Sequence, residues 1–351
     1  MIVLMKQQMS AWQLQNLDVN PHKKYILLYK VPKWMELLET DDDCVITPNE
    51  NVLPSIELFD AVVFSADNPI EFPRKRSPSQ FYVFSSTKSP LYTNQHFTKN
   101  QLQLFNLSMT YRRDSDIFWP HGFISNYVFY PSREFTKPKW KDPNFNDKVG
   151  VKVSSIIAGK SKFSAWITDC SDKSQRMDLI TVLQNYIEID IFGNCGSFDC
   201  PKTSNSECLD IVERDYFFYF ALENSLCTDY VTEMLFNAME YYVIPVVYGR
   251  VNYEDLLPPH SFIDVNQFNR TTDLANYLME LSSDPVEYSK YFWWKKFYPK
   301  ININRNYRNL CRTIHELSSS ETSTEDATFY SNIESWWKDN QCLESPSIQL
   351  I

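Results

Sequence analysis

Short, continuous runs of apolar residues recur along this chain, and they constrain its fold more than any other feature. Lys24–Tyr29, Asp60–Ser65 and Gln80–Ser85 have the length of strands and are rich in β-branched and aromatic residues. Runs of this kind are typical of strands covered on both faces, as in a parallel sheet. Helical or loop segments separate them, beginning with the helical spacing of Trp34–Leu38. The first part of the chain therefore predicts an α/β domain.

The same alternation begins again after Pro131–Asp147, a polar segment with three prolines. The pattern predicts strands at Ser164–Thr168, Tyr186–Gly193, Tyr216–Leu222 and Val243–Tyr248, and helices at Ser174–Tyr186, Asp229–Tyr242, Thr272–Leu281 and Pro285–Tyr298. Pro245 is an objection to the last strand, because proline cannot donate a hydrogen bond to a sheet. Two α/β halves joined by such a connection predict a two-domain enzyme with a cleft, in which ligands bind beyond the carboxyl ends of the strands.

The predicted organisation has four parts. Residues 1–20 form a leader without clear structure, 21–135 a first α/β domain, 136–150 a linker and 151–345 a second α/β domain. The acidic, Ser/Thr-rich stretch Ser318–Thr328 is expected to be a surface loop.

Composition excludes several classes of function. The chain has six glycines among its 351 residues and neither a GxGxxG nor a GxxxxGK[ST] motif, which argues against a glycine-rich nucleotide-binding loop. Its formal net charge of −10 argues against a nucleic-acid partner, since phosphate backbones favour clustered Lys and Arg. The 24 Phe, 21 Tyr and 9 Trp would suit a carbohydrate-binding protein, although most aromatic side chains belong to cores.

The eight cysteines predict disulfides. There is no C-x-x-C pair, and the chain has only five histidines, so a zinc site is not expected. Eight cysteines allow 105 full pairings, and the connectivity stays open. The sequons at Asn106 and Asn269 also indicate an oxidising, glycosylating compartment.

The cysteines and sequons indicate a lumenal protein, but the sequence shows no signal for entry into the secretory pathway. The chain contains no run of about 20 apolar residues as a membrane helix requires, and the start MIVLMKQQMSAW has neither a full apolar core nor a cleavage site. Either a preceding segment is missing from this sequence or the thiols are reduced in the cytosol. We favour the first interpretation.

Phe217–Phe262 is the most informative segment. A buried strand leads into Glu223-Asn224-Ser225, and a helix is expected to begin near Asp229, capped by that residue or by Thr228. Free N–H groups at such a helix start bind anions such as a diphosphate. Glu223 and Glu233 would lie on the same side and accept hydrogen bonds from sugar hydroxyls. The segment predicts a nucleotide-sugar site; the alternative is an ordinary α/β turn with solvated acids.

The segments Phe218–Glu233 and Ile244–Gly249 resemble the donor-binding signature of the α1,3/4-fucosyltransferases, glycosyltransferase family 10. Ser261–Val265 is similar to the continuation of that signature, and Met109–Ile117 to a second hallmark. The resemblance extends from about Lys24 to Trp337. The cysteine spacing is most similar to the invertebrate and plant branch, several members of which fucosylate the core GlcNAc of N-glycans.

This resemblance implies a GT-B fold: two Rossmann-like domains with a cleft between them, the acceptor side in 21–135 and the GDP-fucose side in 151–345. It also implies inverting transfer of fucose from GDP-fucose to GlcNAc of a glycoprotein glycan, with no metal or other cofactor, in the Golgi lumen behind a type II membrane anchor not seen in this chain. Asp114-Ser-Asp116 is accordingly expected to be structural. The implied donor-binding residues are Arg176 at the diphosphate, Asn224 and Tyr230 at the phosphate and fucose, Glu233 at the ribose, and Glu223, Ser225 and Met234 in the same signature.

Two positions depart from the family pattern. Lys88, in Thr87-Lys88-Ser89-Pro90, stands where the family has the glutamate that takes the acceptor proton, and a protonated lysine cannot do so. No Asp or Glu occurs between Glu71 and Asp114, which leaves His96 as a local substitute or an ordinary surface residue. Met234 replaces a lysine aimed at the donor phosphates. Two hypotheses follow. The first is a fucosyltransferase with an unusual base, or with a base supplied by the substrate or by another loop. The second is a catalytically impaired homologue that binds glycan or nucleotide or partners another protein.

Overall fold

The chain folds into two compact units. The computed structural model describes residues 20, 22–36, 39–40, 43–93, 97–125, 134–145, 150–170, 174–200, 205–302, 307–319 and 330–343. Unit 1 comprises 1–120, 131–135 and 305–341, and unit 2 comprises 121–130, 136–304 and 342–351. The leader, apart from residue 20, His96 and the acidic residues 320–328 lie outside the described residues.

Unit 1 contains a seven-stranded sheet in the order β2-β3-β1-β4-β5-β6-β7. Its pairs are parallel except β2 with β3. The strands are β1 (Lys24–Leu28), β2 (Glu39–Thr40), β3 (Cys44–Thr47), β4 (Ala61–Ser65), β5 (Phe81–Ser86), β6 (Leu107–Thr110) and β7 (Ile117–Phe118). Every residue of β4 and β5 is buried, as their continuous apolar runs predict.

The C-terminal helices belong to unit 1, which corrects the predicted boundary of 151–345. Helix α7 (Arg308–Ser319) packs in one core with β1 and β4 through Leu310 and Ile314. On helix α8 (Ile333–Lys338), the Trp337 ring lies 5.4 Å from that of Phe84. These apolar side chains need a core, and the core that buries them is built from strands within the first 118 residues, which local patterning does not predict.

Unit 2 contains a parallel five-stranded sheet in the order β10-β9-β11-β12-β13, and β8 and β14 form a separate antiparallel pair. Its strands are β8 (Phe123–Ser125), β9 (Lys162–Ile167), β10 (Ile189–Phe192), β11 (Tyr216–Leu222), β12 (Ile244–Tyr248), β13 (Ile263–Asp264) and β14 (Lys300–Asn302). Its helices are α1 (Val151–Gly159), α2 (Arg176–Leu183), α3 (Asn205–Asp215), α4 (Glu233–Met239), α5 (Thr271–Ser283) and α6 (Pro285–Lys290). No described helix is both long and apolar enough to cross a membrane.

Local differences from the predicted elements have identifiable causes. Pro245 is accommodated in β12 because β13 pairs only with Val246 and Val247, beyond the proline. The helix predicted for Pro285–Tyr298 is divided into α6 and the 3₁₀ turn Trp293–Lys296. The predicted disulfides are present as Cys44–Cys311, Cys170–Cys195, Cys200–Cys208 and Cys227–Cys342.

Candidate active site

Arg176 joins the carboxyl ends of β9 and β11, the point in unit 2 where the strand order reverses and where ligands bind in open α/β sheets. Its guanidinium donates to Leu222 O at 2.6 Å and to Thr168 Oγ1 at 3.2 Å. The side chain is 2% exposed, so it is not a solvated helix charge. In this conformation it supports the ends of two strands, and a direct contact with a diphosphate stays a prediction.

Glu223 is buried, which corrects the expectation that it accepts hydrogen bonds from sugar hydroxyls. It is 1% exposed, and its Oε1 accepts from Thr232 N at 2.8 Å and from Thr232 Oγ1 at 3.2 Å. Its Oε2 has no hydrogen-bond partner among the described residues. Burial raises the pKa of Glu223 to about 7, partly opposed by the hydrogen bonds from Thr232 and the nearby His121 and Arg176. Glu223 therefore positions the start of α4 from inside unit 2.

The loop between β11 and α4 is longer than the sequence predicts. Asp229 has a left-handed backbone (φ 59°) and its N–H donates to Arg250 O, so the helix begins at Glu233 and not near Asp229. The disulfide from Cys227 to Cys342 holds this loop. Thr232 N, one of the N–H groups at this helix start, already donates to Glu223, and anion binding by the N–H groups that follow it stays a prediction. Ser225 is buried and donates to Asn224 Oδ1 at 3.2 Å.

Two residues of the signature, Glu233 and Tyr230, contact a histidine that sequence reasoning missed. Glu233 Oε2 lies 2.8 Å from His121 Nδ1, and the His121 ring packs edge-on to the ring of Tyr230 at 6.3 Å. His121 and Tyr230 are buried, whereas the Glu233 side chain is 43% exposed and Met234 beside it is half-buried. His121 lies 112 residues before Glu233, and no motif marks it.

In unit 1, Lys88 is exposed on the turn after β5 and lies beside an aspartate from the neighbouring strand. Asp67, two residues after β4, accepts from Ser86 Oγ at 2.7 Å and from Thr87 Oγ1 at 2.8 Å. The Lys88 N–H donates to Asp67 Oδ1 at 3.4 Å. Asp67 lies just before the stretch from Glu71 to Asp114, in which the sequence has no other carboxylate, and the fold brings it beside Lys88. The pairing of β4 with β5 could have shown it, because parallel strands end at the same edge.

The two sequons have different environments. Asn106 is 6% exposed, and its Oδ1 accepts from Arg76 and from Tyr82 N, at 2.9 Å for the latter. A glycan would need this amide in solvent, so the burial argues against glycosylation at Asn106. Asn269 is exposed, and its glycosylation stays a prediction.

The acidic pair of the second hallmark has structural partners inside unit 1. Asp114 forms an ion pair with Arg112, and Asp116 accepts from Ser108 N and from Tyr330 Oη. These contacts fit the structural role expected for Asp114 and Asp116.

Comparison with a solved structure identifies the fold. A crystal structure of an α1,3-fucosyltransferase with GDP superposes with a TM-score of 0.50 at 16% identity, covering 88% of this chain and 92% of that chain. The likeness is one of fold, and it confirms the predicted GT-B architecture of two Rossmann-like domains.

Sequence comparison identifies the family. The glycosyltransferase family 10 (fucosyltransferase) C-terminal model matches residues 157–336, and the fucosyltransferase N-terminal model matches residues 11–122. The chain is 40% identical to α-(1,3)-fucosyltransferase C of Drosophila melanogaster over 86% of this chain and 71% of that protein. It is 30% identical to glycoprotein 3-α-L-fucosyltransferase A of Drosophila melanogaster, over 85% of this chain and 55% of that protein. The chain belongs to glycosyltransferase family 10, the fucosyltransferases.

Proposed function

We propose that this chain transfers fucose from GDP-fucose to a GlcNAc residue of a glycoprotein glycan, forming an α1,3 linkage with inversion at C1. Family membership supports fucosyl transfer. One Drosophila relative is named an α-(1,3)-fucosyltransferase, and the other is named a glycoprotein 3-α-L-fucosyltransferase, which supports the linkage and the glycoprotein acceptor. GDP in the related crystal structure supports a GDP-linked donor. No metal or other cofactor is part of the proposal.

One observation supports the proposed donor site: Tyr230 and Glu233, which follow the carboxyl end of β11, both contact His121. Glu233 is the one of these that is substantially exposed, so it can accept hydrogen bonds from ribose hydroxyls. Asn224 and Tyr230 would line the phosphate and fucose. Met234 offers these phosphates no donor, so we expect weaker donor binding than a lysine would give.

In the proposed reaction, the acceptor hydroxyl oxygen attacks C1 of fucose while the bond from C1 to the GDP oxygen breaks. GDP leaves with the electron pair, and a base takes the hydroxyl proton. The Lys88 ammonium cannot accept this proton. Its position favours the second candidate function: an impaired homologue that binds glycan or nucleotide, or that partners another protein, without turnover.

One experiment separates these functions. The chain is expressed in a secretory host and assayed with GDP-fucose and two acceptors, a glycopeptide with core GlcNAc and N-acetyllactosamine, beside the double variant K88E/M234K. Transfer by the natural chain, with NMR showing an α1,3 linkage, supports the first function. Transfer by the double variant alone supports the impaired homologue. Absence of transfer by both folded proteins would overturn the fucosyl-transfer proposal.

The Golgi lumen is the proposed location. Four disulfides are typical of an oxidising compartment, and membership of the fucosyltransferase family supports the Golgi. Attachment through a type II membrane anchor, outside the described residues, is part of this proposal and is tested by localising the full gene product.

A further inference from the structure

We infer that Asp67 is the catalytic base of this chain and takes the proton from the acceptor hydroxyl. This inference rests on the proposed transfer reaction. It identifies a carboxylate that can act in place of the family's glutamate, which is a lysine here at position 88.

Asp67 occupies the place in unit 1 where open α/β sheets bind ligands. The strand order β3-β1-β4-β5 reverses between β1 and β4, and Asp67 follows the carboxyl end of β4 by two residues. Ligands bind at such a reversal, beyond the carboxyl ends of the strands. The Asp67 side chain is half-buried, so it is both held by the protein and reachable.

Two short hydrogen bonds fix the Asp67 carboxylate on the turn that carries Lys88. Ser86 Oγ donates to Oδ1 at 2.7 Å, and Thr87 Oγ1 donates to Oδ2 at 2.8 Å. The remaining contacts from the Thr87 and Lys88 N–H groups are long, at 3.3 to 3.5 Å. Each carboxylate oxygen has about two acceptor sites, so an acceptor hydroxyl would replace one of these long contacts.

Charge distinguishes Asp67 from the other carboxylates at this edge. Glu71 is paired with Lys30 and Asp114 with Arg112, whereas Asp116 accepts three hydrogen bonds from Ser108 and Tyr330. The Lys88 ammonium lies 3.5 Å from the main-chain oxygen of Asp67, and among the described residues no cation pairs with the Asp67 carboxylate. Its negative charge is therefore available to a proton and to a developing positive charge at C1.

The step balances. A carboxylate oxygen of Asp67 takes the acceptor proton, the acceptor oxygen forms its bond to C1, and GDP leaves with the electrons of the broken bond. Asp67 then returns the proton to water.

The test is Asp67→Asn in the full chain, because asparagine keeps the size and one acceptor oxygen. Glu71→Gln is the matched control, a neutralised carboxylate at the same edge of the sheet. Asp67→Asn/Lys88→Glu places a carboxylate on the adjacent turn. Transfer kinetics with their pH profile, GDP affinity and thermal unfolding are measured for all three and for the natural chain.

We expect Asp67→Asn to lower kcat by about 10² to 10⁴, with GDP affinity and melting temperature unchanged and the acidic limb of the pH profile lost. Glu71→Gln should stay within about threefold of the natural chain, and the double variant should regain at least about tenfold in kcat over Asp67→Asn. The inference is overturned if Asp67→Asn keeps the kcat of the natural chain. It is also overturned if Asp67→Asn loses activity together with its folded structure and the added Lys88→Glu substitution does not restore kcat. An inactive natural chain with an active Asp67→Asn/Lys88→Glu variant overturns it too, while leaving the family reaction intact. If no folded variant transfers fucose, the proposed function itself fails and the inference with it.

Discussion

At the scale of single residues, the buried Glu223 makes stability depend on pH. Its pKa is about 7 in the folded chain against a usual value near 4.5, so the folded state binds more protons between these values. Stability therefore falls as pH rises through this window, by at most about 1.4 kcal/mol per pH unit. We expect Glu223→Gln to match the natural chain near pH 5 and to be more stable near pH 8.

Urea denaturation of both proteins across this pH range measures the difference. Glu240→Gln, at an exposed position on the C-cap of α4, controls for the loss of one charge. A stability difference for Glu223→Gln that does not change with pH would show that Glu223 is ionised throughout.

A second residue-scale prediction concerns His121, whose contact holds Glu233. His121→Phe removes the donor and should raise the KM for GDP-fucose about threefold to tenfold, from a hydrogen bond worth about 0.5–1.5 kcal/mol, with little change in kcat. Because the Glu233 side chain is 43% exposed, water can partly replace the lost donor, which favours the lower end of this range. His121→Gln, which can still donate, should recover part of the loss. Equal donor KM values for all three proteins would exclude this role.

At the scale of elements, the disulfide Cys227–Cys342 determines the course of the loop before α4. Its cysteines are separated by 115 residues, so replacing both by serine should cost about 2–5 kcal/mol of unfolding free energy and weaken GDP binding. The pair Cys200–Cys208, separated by only 8 residues, is the control and should cost less. Non-reducing denaturation and GDP titration measure both effects, and an equal loss for the two pairs would contradict the loop-length argument.

Strands were more predictable than the elements that follow them. The continuous apolar runs locate β4, β5, β11 and β12 to within a residue at each end, because a strand buried on both faces requires apolar residues at consecutive positions. The start of α4 was missed by four residues. Its loop is held by Arg250 and Cys342, and no feature of residues 224–232 reports those distant partners.

At the scale of the whole molecule, the return of the C-terminal segment to unit 1 is decisive for stability. Trp337 is 2% exposed, packs on Phe84 and Tyr111, and donates its indole N–H to Thr93 Oγ1 at 2.9 Å. Trp337→Ala should cost about 3–5 kcal/mol and accelerate hydrogen exchange in β5. Trp34→Ala, at a ring 37% exposed, should cost clearly less. Thermal unfolding and hydrogen exchange measure both, and equal losses would show that Trp337 is not a core residue.

The sequence by itself determined the two α/β halves, their buried strands, the disulfide-forming cysteines and the family. Each of these features can be inferred from the types of residues and their spacing, because both depend on local burial and chemistry. Only the tertiary structure decided which polar residues meet: Asp67 with the turn at Lys88, His121 with Glu233, and Glu223 with Thr232 inside unit 2. Strand order and chain crossings bring these groups together, and a pattern of neighbours along the chain does not carry that information.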